Sequence, residues 1–221
     1  MEEIANHLPN ATTKRSVRKR AILIYQGEIP RQAYVVLSGT FKVYRLGSFG
    51  EEQIVGFKTP GDVFPETWIF GKTSSTLYYY EAMSDAEVLT VERSVFIDLI
   101  EKTPILKSRM FDYMVTNYTG LMMQISALEQ SRAAEKLLLI IYYLMFRYGS
   151  ETKPGEYTLS LHLTHTTLAS LMGLTRETTT TELGRLKRKG IISYDTKNFV
   201  VHRDALERKL GDDSFADIKL S

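Results

Sequence analysis

Arg176, Glu177, Thr180 and Thr181 fall within an arc of roughly 140° if the stretch that carries them is helical at about 100° per residue. A narrow face bearing a guanidinium, a carboxylate and two hydroxyls could enter the major groove of a nucleic-acid duplex. Farther along the same stretch, Arg185, Lys187, Arg188 and Lys189 gather cations at what would be its C-terminal turn. There they favour the helix dipole and can reach phosphates, although a solvated last turn explains the cluster equally well. The chain contains no zinc-binding helix motif, nucleophile elbow, GxxxxGK[ST] phosphate loop or paired-carboxylate constellation, so an enzyme is not expected. His165 has no second histidine at ligand spacing, and no metal site is expected.

The elements that must hold those residues can be read outward from them. Thr164 can cap a first helix with apolar positions at Leu168, Leu171 and Met172; Gly173 supplies a turn, and Thr175 can cap a second helix running to about Lys189. Thr179, Leu183 and Leu186 would face the core, which makes the pair a helix-turn-helix. The segment IISYDTKNFVVH alternates around Asp195 to Asn198 and predicts a two-stranded wing. Upstream, a helix over 132–148 ends at Gly149, and the polar SETKPGE is expected to be a connection. Pro104 suits the first position of a long helix over 104–128, in which Met110, Tyr113, Asn117, Leu121, Gln124 and Leu128 recur at three- and four-residue steps as a dimer seam; Met114, Tyr118 and Met122 could instead pack the helix against the barrel of its own subunit, and both faces can be used. From about Arg20 to Glu92, short segments (AILIYQGE, AYVVLSGTFKVYRLG, QIVGFKTPGD, EVLTVE) indicate an antiparallel barrel or roll, with Gly27, Gly39, Gly47, Gly50 and Gly61 at turns that need positive φ.

Bulk properties narrow the class. With 221 residues, 43% apolar and 24% charged, the chain has an ordinary globular composition, and its net charge of +2 is too small to argue for nucleic acid by itself. No apolar run is long enough to span a membrane and the N-terminus lacks a signal-peptide core, so a cytoplasmic protein is expected. The absence of cysteine removes disulfides and cysteine-ligated iron-sulfur clusters. Lys14, Arg15, Arg18, Lys19 and Arg20 precede an apolar strand and read as a solvated edge.

The order of barrel, long helix and winged helix resembles the Crp-Fnr family of bacterial transcription regulators. The resemblance covers nearly the whole chain and rests on YQGE at 25–28, YVVLSGTFKVYR at 34–45, PGDVF at 60–64 and LTRETTTTELGRLKRKGII at 174–192. It implies an α+β architecture: a cyclic-nucleotide-binding-like antiparallel β-barrel or jelly roll over 1–103, a dimerisation helix over 104–130 and a winged helix-turn-helix over 131–221. It further implies a homodimer on an approximately palindromic duplex site. Contact with RNA polymerase is left open.

By this resemblance Arg176 and Glu177 match a base-reading arginine-glutamate pair. Arginine can donate two bonds to guanine O6 and N7, and glutamate can accept from cytosine N4. Thr180 matches a serine that contacts a base in one branch. Thr181 stands where an arginine is usual, so readout at the corresponding pair should weaken or turn to a thymine methyl. Thr164, His165, Thr166, Thr175, Thr178, Arg185, Lys187 and Arg188 are the expected phosphate contacts, with capping or solvation as the alternative for each threonine.

The sensing side departs from the family. Glu66 matches the glutamate of a cyclic-nucleotide pocket, but the phosphate-binding arginine and serine are replaced by Thr76 and Leu77, and no arginine occurs between Arg45 and Arg93. Cyclic AMP is therefore not expected, nor is haem, since His7 is the only histidine outside the C-terminal part. Glu66, Trp68, Thr76, Leu77, Tyr78, Met114 and Tyr118, with Tyr79 and Tyr80, could line a site for a small apolar or aromatic effector, or could simply be an aromatic core. No cofactor is expected, and a regulator without any ligand fits as well. The alternative function is a ligand-binding barrel whose winged helix contacts protein.

Overall fold

The computed structural model describes residues 12–195 and 198–211, and the chain divides into two compact units, Met1–Tyr113 and Met114–Ser221. The first unit contains β1 (Thr13–Val17), β2 (Ile22–Ile24), β3 (Ala33–Ser38), β4 (Phe41–Leu46), β5 (Glu52–Lys58), β6 (Val63–Phe64), β7 (Tyr79–Ala82) and β8 (Ala86–Val91). Helices α1 (Glu66–Ile69) and α2 (Arg93–Lys102) complete it, together with the start of α3 (Pro104–Leu128). The strands form two antiparallel four-stranded sheets, β1-β8-β3-β6 and β2-β7-β4-β5. The expected barrel is thus a jelly-roll-like pair of sheets and not one closed cylinder.

Their shared core is aromatic: Phe64 stacks on Tyr34 at 5.4 Å and on Tyr80 at 4.8 Å, within a cluster that includes Ile24, Val36, Phe41 and Val88. Two strands escape the alternation pattern for identifiable reasons. β1 is an edge strand whose Lys14 and Arg15 are exposed while Val17 is buried, so it carries too little apolar periodicity to be noticed. β7 begins in the aromatic run at 78–80, so its sequence shows no apolar–polar alternation. Gly27, Gly39, Gly50 and Gly61 have positive φ as expected, but Gly47 does not; what its missing side chain provides is room for the Glu51 carboxylate.

The second unit continues α3 and adds α4 (Ala133–Tyr148), β9 (Gly149–Lys153), β10 (Glu156–Leu159), α5 (His165–Met172), α6 (Arg176–Arg188), β11 (Ile192–Tyr194), β12 (Phe199–His202) and α7 (Arg203–Leu210). Its sheet order is β11-β12-β10-β9. The segment expected as a connection at 150–156 is therefore a hairpin that widens the two-stranded wing to four strands; a Pro-Gly turn between polar strands reads in sequence like a linker. Thr196 and Lys197, within the segment read as the wing, lie outside the described residues, as does His7. α4 is buried nearly all round, with Leu137, Ile140, Ile141 and Leu144 fully enclosed, and it supports α6 and α7 from within. α3 and α4 approach closely where Gly120 leaves space: a Cβ there would lie 2.9 Å from Arg147 Cγ. That approach lets the Arg147 guanidinium donate to Asn117 Oδ1 at 2.6 Å.

Candidate nucleic-acid interface

The helix-turn-helix is built as its residue types demand. The Thr164 hydroxyl accepts from the Thr167 amide at 3.0 Å and starts α5, and the Thr175 hydroxyl accepts from the Thr178 amide at 3.1 Å and starts α6. Between them Gly173 takes a left-handed φ of 64°, closing α5. On α6, Thr179, Leu183 and Leu186 are buried as expected, together with Glu182, whose side chain pairs with Arg185. A threonine run survives in a helix because Thr179 and Thr181 donate their hydroxyls to the carbonyls of Thr175 and Glu177, at 2.9 and 3.0 Å.

Arg176, Glu177, Thr180 and Thr181 are all exposed at the N-terminal half of α6. Neither the Arg176 nor the Glu177 side chain has a hydrogen-bond or ion-pair partner among the described residues, so both are available to a ligand. Thr180 is engaged: its hydroxyl is 2.9 Å from His165 Nδ1. His165 in turn meets the edge of Tyr194 on β11, with ring centroids 5.7 Å apart. This His165–Thr180–Tyr194 contact was not legible in the sequence, since residues fifteen and twenty-nine positions apart meet only through the fold.

The expected phosphate contacts divide into two groups. Thr164 and Thr175 are spent on capping, and the Thr175 hydroxyl also donates to Thr178 at 2.9 Å. Arg185 pairs with Glu182, while Lys187 donates to the Tyr194 carbonyl at 3.2 Å and lies 4.5 Å over its ring. Thr166, Arg188 and Lys189 are exposed with no polar partner among the described residues.

Of the residues proposed for an effector, Glu66, Trp68, Thr76, Leu77 and Tyr78 lie in the first unit and Met114 and Tyr118 in the second. Glu66 is ion-paired with the buried Lys58 and accepts from the Tyr113 hydroxyl at 3.2 Å. Burial pulls the Lys58 ammonium down, but Glu66 and Asp62 outweigh it and hold the group above the ordinary lysine value. Thr76 is buried, with its hydroxyl donating to the carbonyl of Tyr25 at 2.7 Å and Glu28 at 3.3 Å. Trp68 lies under the Arg93 guanidinium, Tyr78 packs on the aromatic core, and Leu77 and Tyr118 are exposed. Met114 is half-buried.

The predicted dimer seam also needs correction. Met110, Tyr113 and Gln124 are buried and Asn117 is bonded to Arg147, so four of the six positions are used inside the subunit; only Leu121 and Leu128 are exposed. The exposed apolar stripe is instead Phe111, Val115, Tyr118, Met122 and Ile125. Both stripes follow three- and four-residue steps, and periodicity cannot choose between two faces of one helix.

Residues 14–103 match the cyclic nucleotide-binding domain family, and residues 131–209 match the Crp-like helix-turn-helix domain family. The fumarate and nitrate reduction regulatory protein of Escherichia coli K12 is 28% identical over 200 residues, covering 90% of this chain and 78% of that one. The anaerobic regulatory protein of Pasteurella multocida is 28% identical over 190 residues, covering 86% and 68%. The chain belongs to the Crp-Fnr family. Among solved structures, FixK2 from Bradyrhizobium japonicum superposes with a TM-score of 0.73 at 24% identity, covering 89% of this chain and 96% of that one. A CooA mutant from Carboxydothermus hydrogenoformans gives 0.74 at 22%, covering 95% and 93%.

As a Crp-Fnr protein the chain is a dimeric DNA-binding transcription regulator and not an enzyme. Unlike a cluster-bearing protein, this Crp-Fnr chain has no cysteine with which to ligate iron. Among the described residues no helix is long and apolar enough to cross a membrane.

Proposed function

We propose that this regulator reads an approximately palindromic operator in the cytoplasm with Arg176 and Glu177 as its principal base contacts, and that its N-terminal unit works without a cyclic nucleotide. The carrying observation is the pair of exposed, unpartnered side chains at the first turn of α6, where a guanidinium can address guanine and a carboxylate cytosine on adjacent pairs. Thr166, Arg188 and Lys189 are the phosphate contacts with nothing to give up; Arg185 and Lys187 reach phosphate only by leaving Glu182 and Tyr194.

Two features support the absence of a cyclic nucleotide. Glu66 already has a cation in Lys58, and the Thr76 hydroxyl is committed to backbone carbonyls. Control then rests on a different effector or on the amount of protein, and RNA polymerase is the partner that transcriptional output would require. Dimerisation is assigned to the stripe Phe111, Val115, Tyr118, Met122 and Ile125, flanked by Leu121 and Leu128.

Operator selection with wild-type and Arg176→Ala protein tests the base-reading assignment. Loss of preference at one base pair per half-site, worth about 1–3 kcal/mol, is expected. An unchanged selected sequence at unchanged affinity would remove Arg176 from the interface. Failure of the wild type to enrich any duplex, with capture of a protein partner instead, would favour a protein-binding winged helix.

A further inference from the structure

Three consecutive threonines on α6 treat their hydroxyls differently. Thr179 and Thr181 donate back to helix carbonyls, whereas Thr180 bonds to the imidazole of His165, the first residue of α5. The ring also makes a T-shaped contact with Tyr194, which itself stacks on Phe199 at 5.6 Å. Only Nδ1 has a protein partner; Nε2 has none among the described residues.

We infer that His165 is a positioning residue that sets whether Thr180 offers a base a hydrogen-bond acceptor or a donor, and so makes operator preference depend on pH. The proposal rests on Thr180 facing a base. A neutral imidazole with its proton on Nε2 can only accept at Nδ1, so the Thr180 hydroxyl donates to it and leaves its oxygen lone pairs for cytosine N4 or adenine N6. A protonated imidazole must donate at Nδ1. The Thr180 oxygen then accepts, and its own proton is free for guanine O6 or N7, adenine N7 or thymine O4. The other titratable or charged groups around this contact are Tyr194 on β11, Lys187 of α6 across the Tyr194 ring, and Arg176 and Glu177 one turn before Thr180. Backbone conformation need not change: one proton inverts the polarity of one hydroxyl.

The test measures binding to four operators that differ at a single base pair, the one whose preference Thr180→Val alters in a selection. Titrations are run at about pH 8.0 and about pH 5.5. Wild-type protein should change its ranking of the four operators by about fivefold or more between the two pH values, the scale of one base contact. His165→Phe keeps a ring against Tyr194 but has no nitrogen, and its ranking should be the same at both pH values. If Thr180→Val alters a preference yet the wild-type ranking ignores pH, the inference fails while the role of Thr180 stands. If Thr180→Val alters nothing, the base-reading role itself fails. Uniform tightening on all four operators at pH 5.5 would make His165 a phosphate contact only, and a pH-dependent ranking retained by His165→Phe would place the switch elsewhere. Either result overturns the inference.

Discussion

Thr181 gives its hydroxyl to the Glu177 carbonyl, which leaves the γ-methyl as the group it can present to a base edge. A thymine methyl is the matching surface. Thr181→Arg should therefore replace a weak apolar preference with guanine at that pair, gaining about 1–3 kcal/mol on the new operator. Competition binding across the four base pairs measures it, and indifference to the substitution would mean this position never meets a base. The buried pair at Lys58 has a stability consequence instead. Lys58→Met leaves Glu66 with the Tyr113 hydroxyl but no cation and should destabilise the first unit by about 3–5 kcal/mol, whereas Lys58→Met combined with Glu66→Leu should be milder. Denaturant melts of single and double variants decide this; a harsher double variant would contradict it. Alkali probes Lys58 and, in the second unit, Tyr142. Lys58 is held above its unfolded value, and burial followed by the Glu207 charge pushes the Tyr142 phenol up to about 12. Groups raised in this way contribute fully below their unfolded values near 10 and lose that contribution as pH rises through the folded ones. Stability from these groups should be level between about pH 7 and 9 and fall above about 10, with phenolate absorbance growing together with unfolding.

Among the elements, α3 is the one whose sequence pattern supports two answers. One stripe is consumed within the subunit: Tyr113 meets Lys58 and Glu66, Asn117 accepts from Arg147, and Met110 and Gln124 are buried. The other, which includes Tyr118 at 65% exposed and Phe111 at 69%, is exposed and is the stripe proposed for dimerisation. Val115→Asp with Met122→Asp should shift the protein to monomer in sedimentation equilibrium, while Tyr113→Phe should leave the association state alone. A dimer that tolerates both aspartates would move the interface off this stripe. The helix-turn-helix raises no such ambiguity, because caps, turn and core positions agree. Thr175→Ala should cost about 1 kcal/mol of stability through the lost α6 cap, read as a lowered melting temperature.

For the whole molecule, DNA binding by a dimer with a net charge of only +2 per chain depends on where cations sit and not on how many there are. Each phosphate contact releases a counterion, so operator affinity should fall steeply with salt, with a log-log slope of about −0.9 per contact. Arg188→Ala removes one contact from each chain of the dimer and should flatten that slope by about two units without changing which sequence is preferred. A selected sequence that changes instead would make Arg188 a base reader.

Local pattern alone determined the helix-turn-helix, the bounds of α3, most strands of the two sheets and the exposed face at the start of α6. In each, a cap, a turn glycine or an apolar period lies within a few residues of what it specifies. The absence of a cluster-binding chemistry was likewise written in composition. The tertiary structure decided which face of α3 is free, that Glu66 is answered by Lys58, that Thr76 ties down a backbone turn, and that His165 rather than a helix carbonyl holds Thr180. These are contacts between groups far apart in the chain, and periodicity, which describes only neighbours along one element, contains no information about which partner arrives from elsewhere.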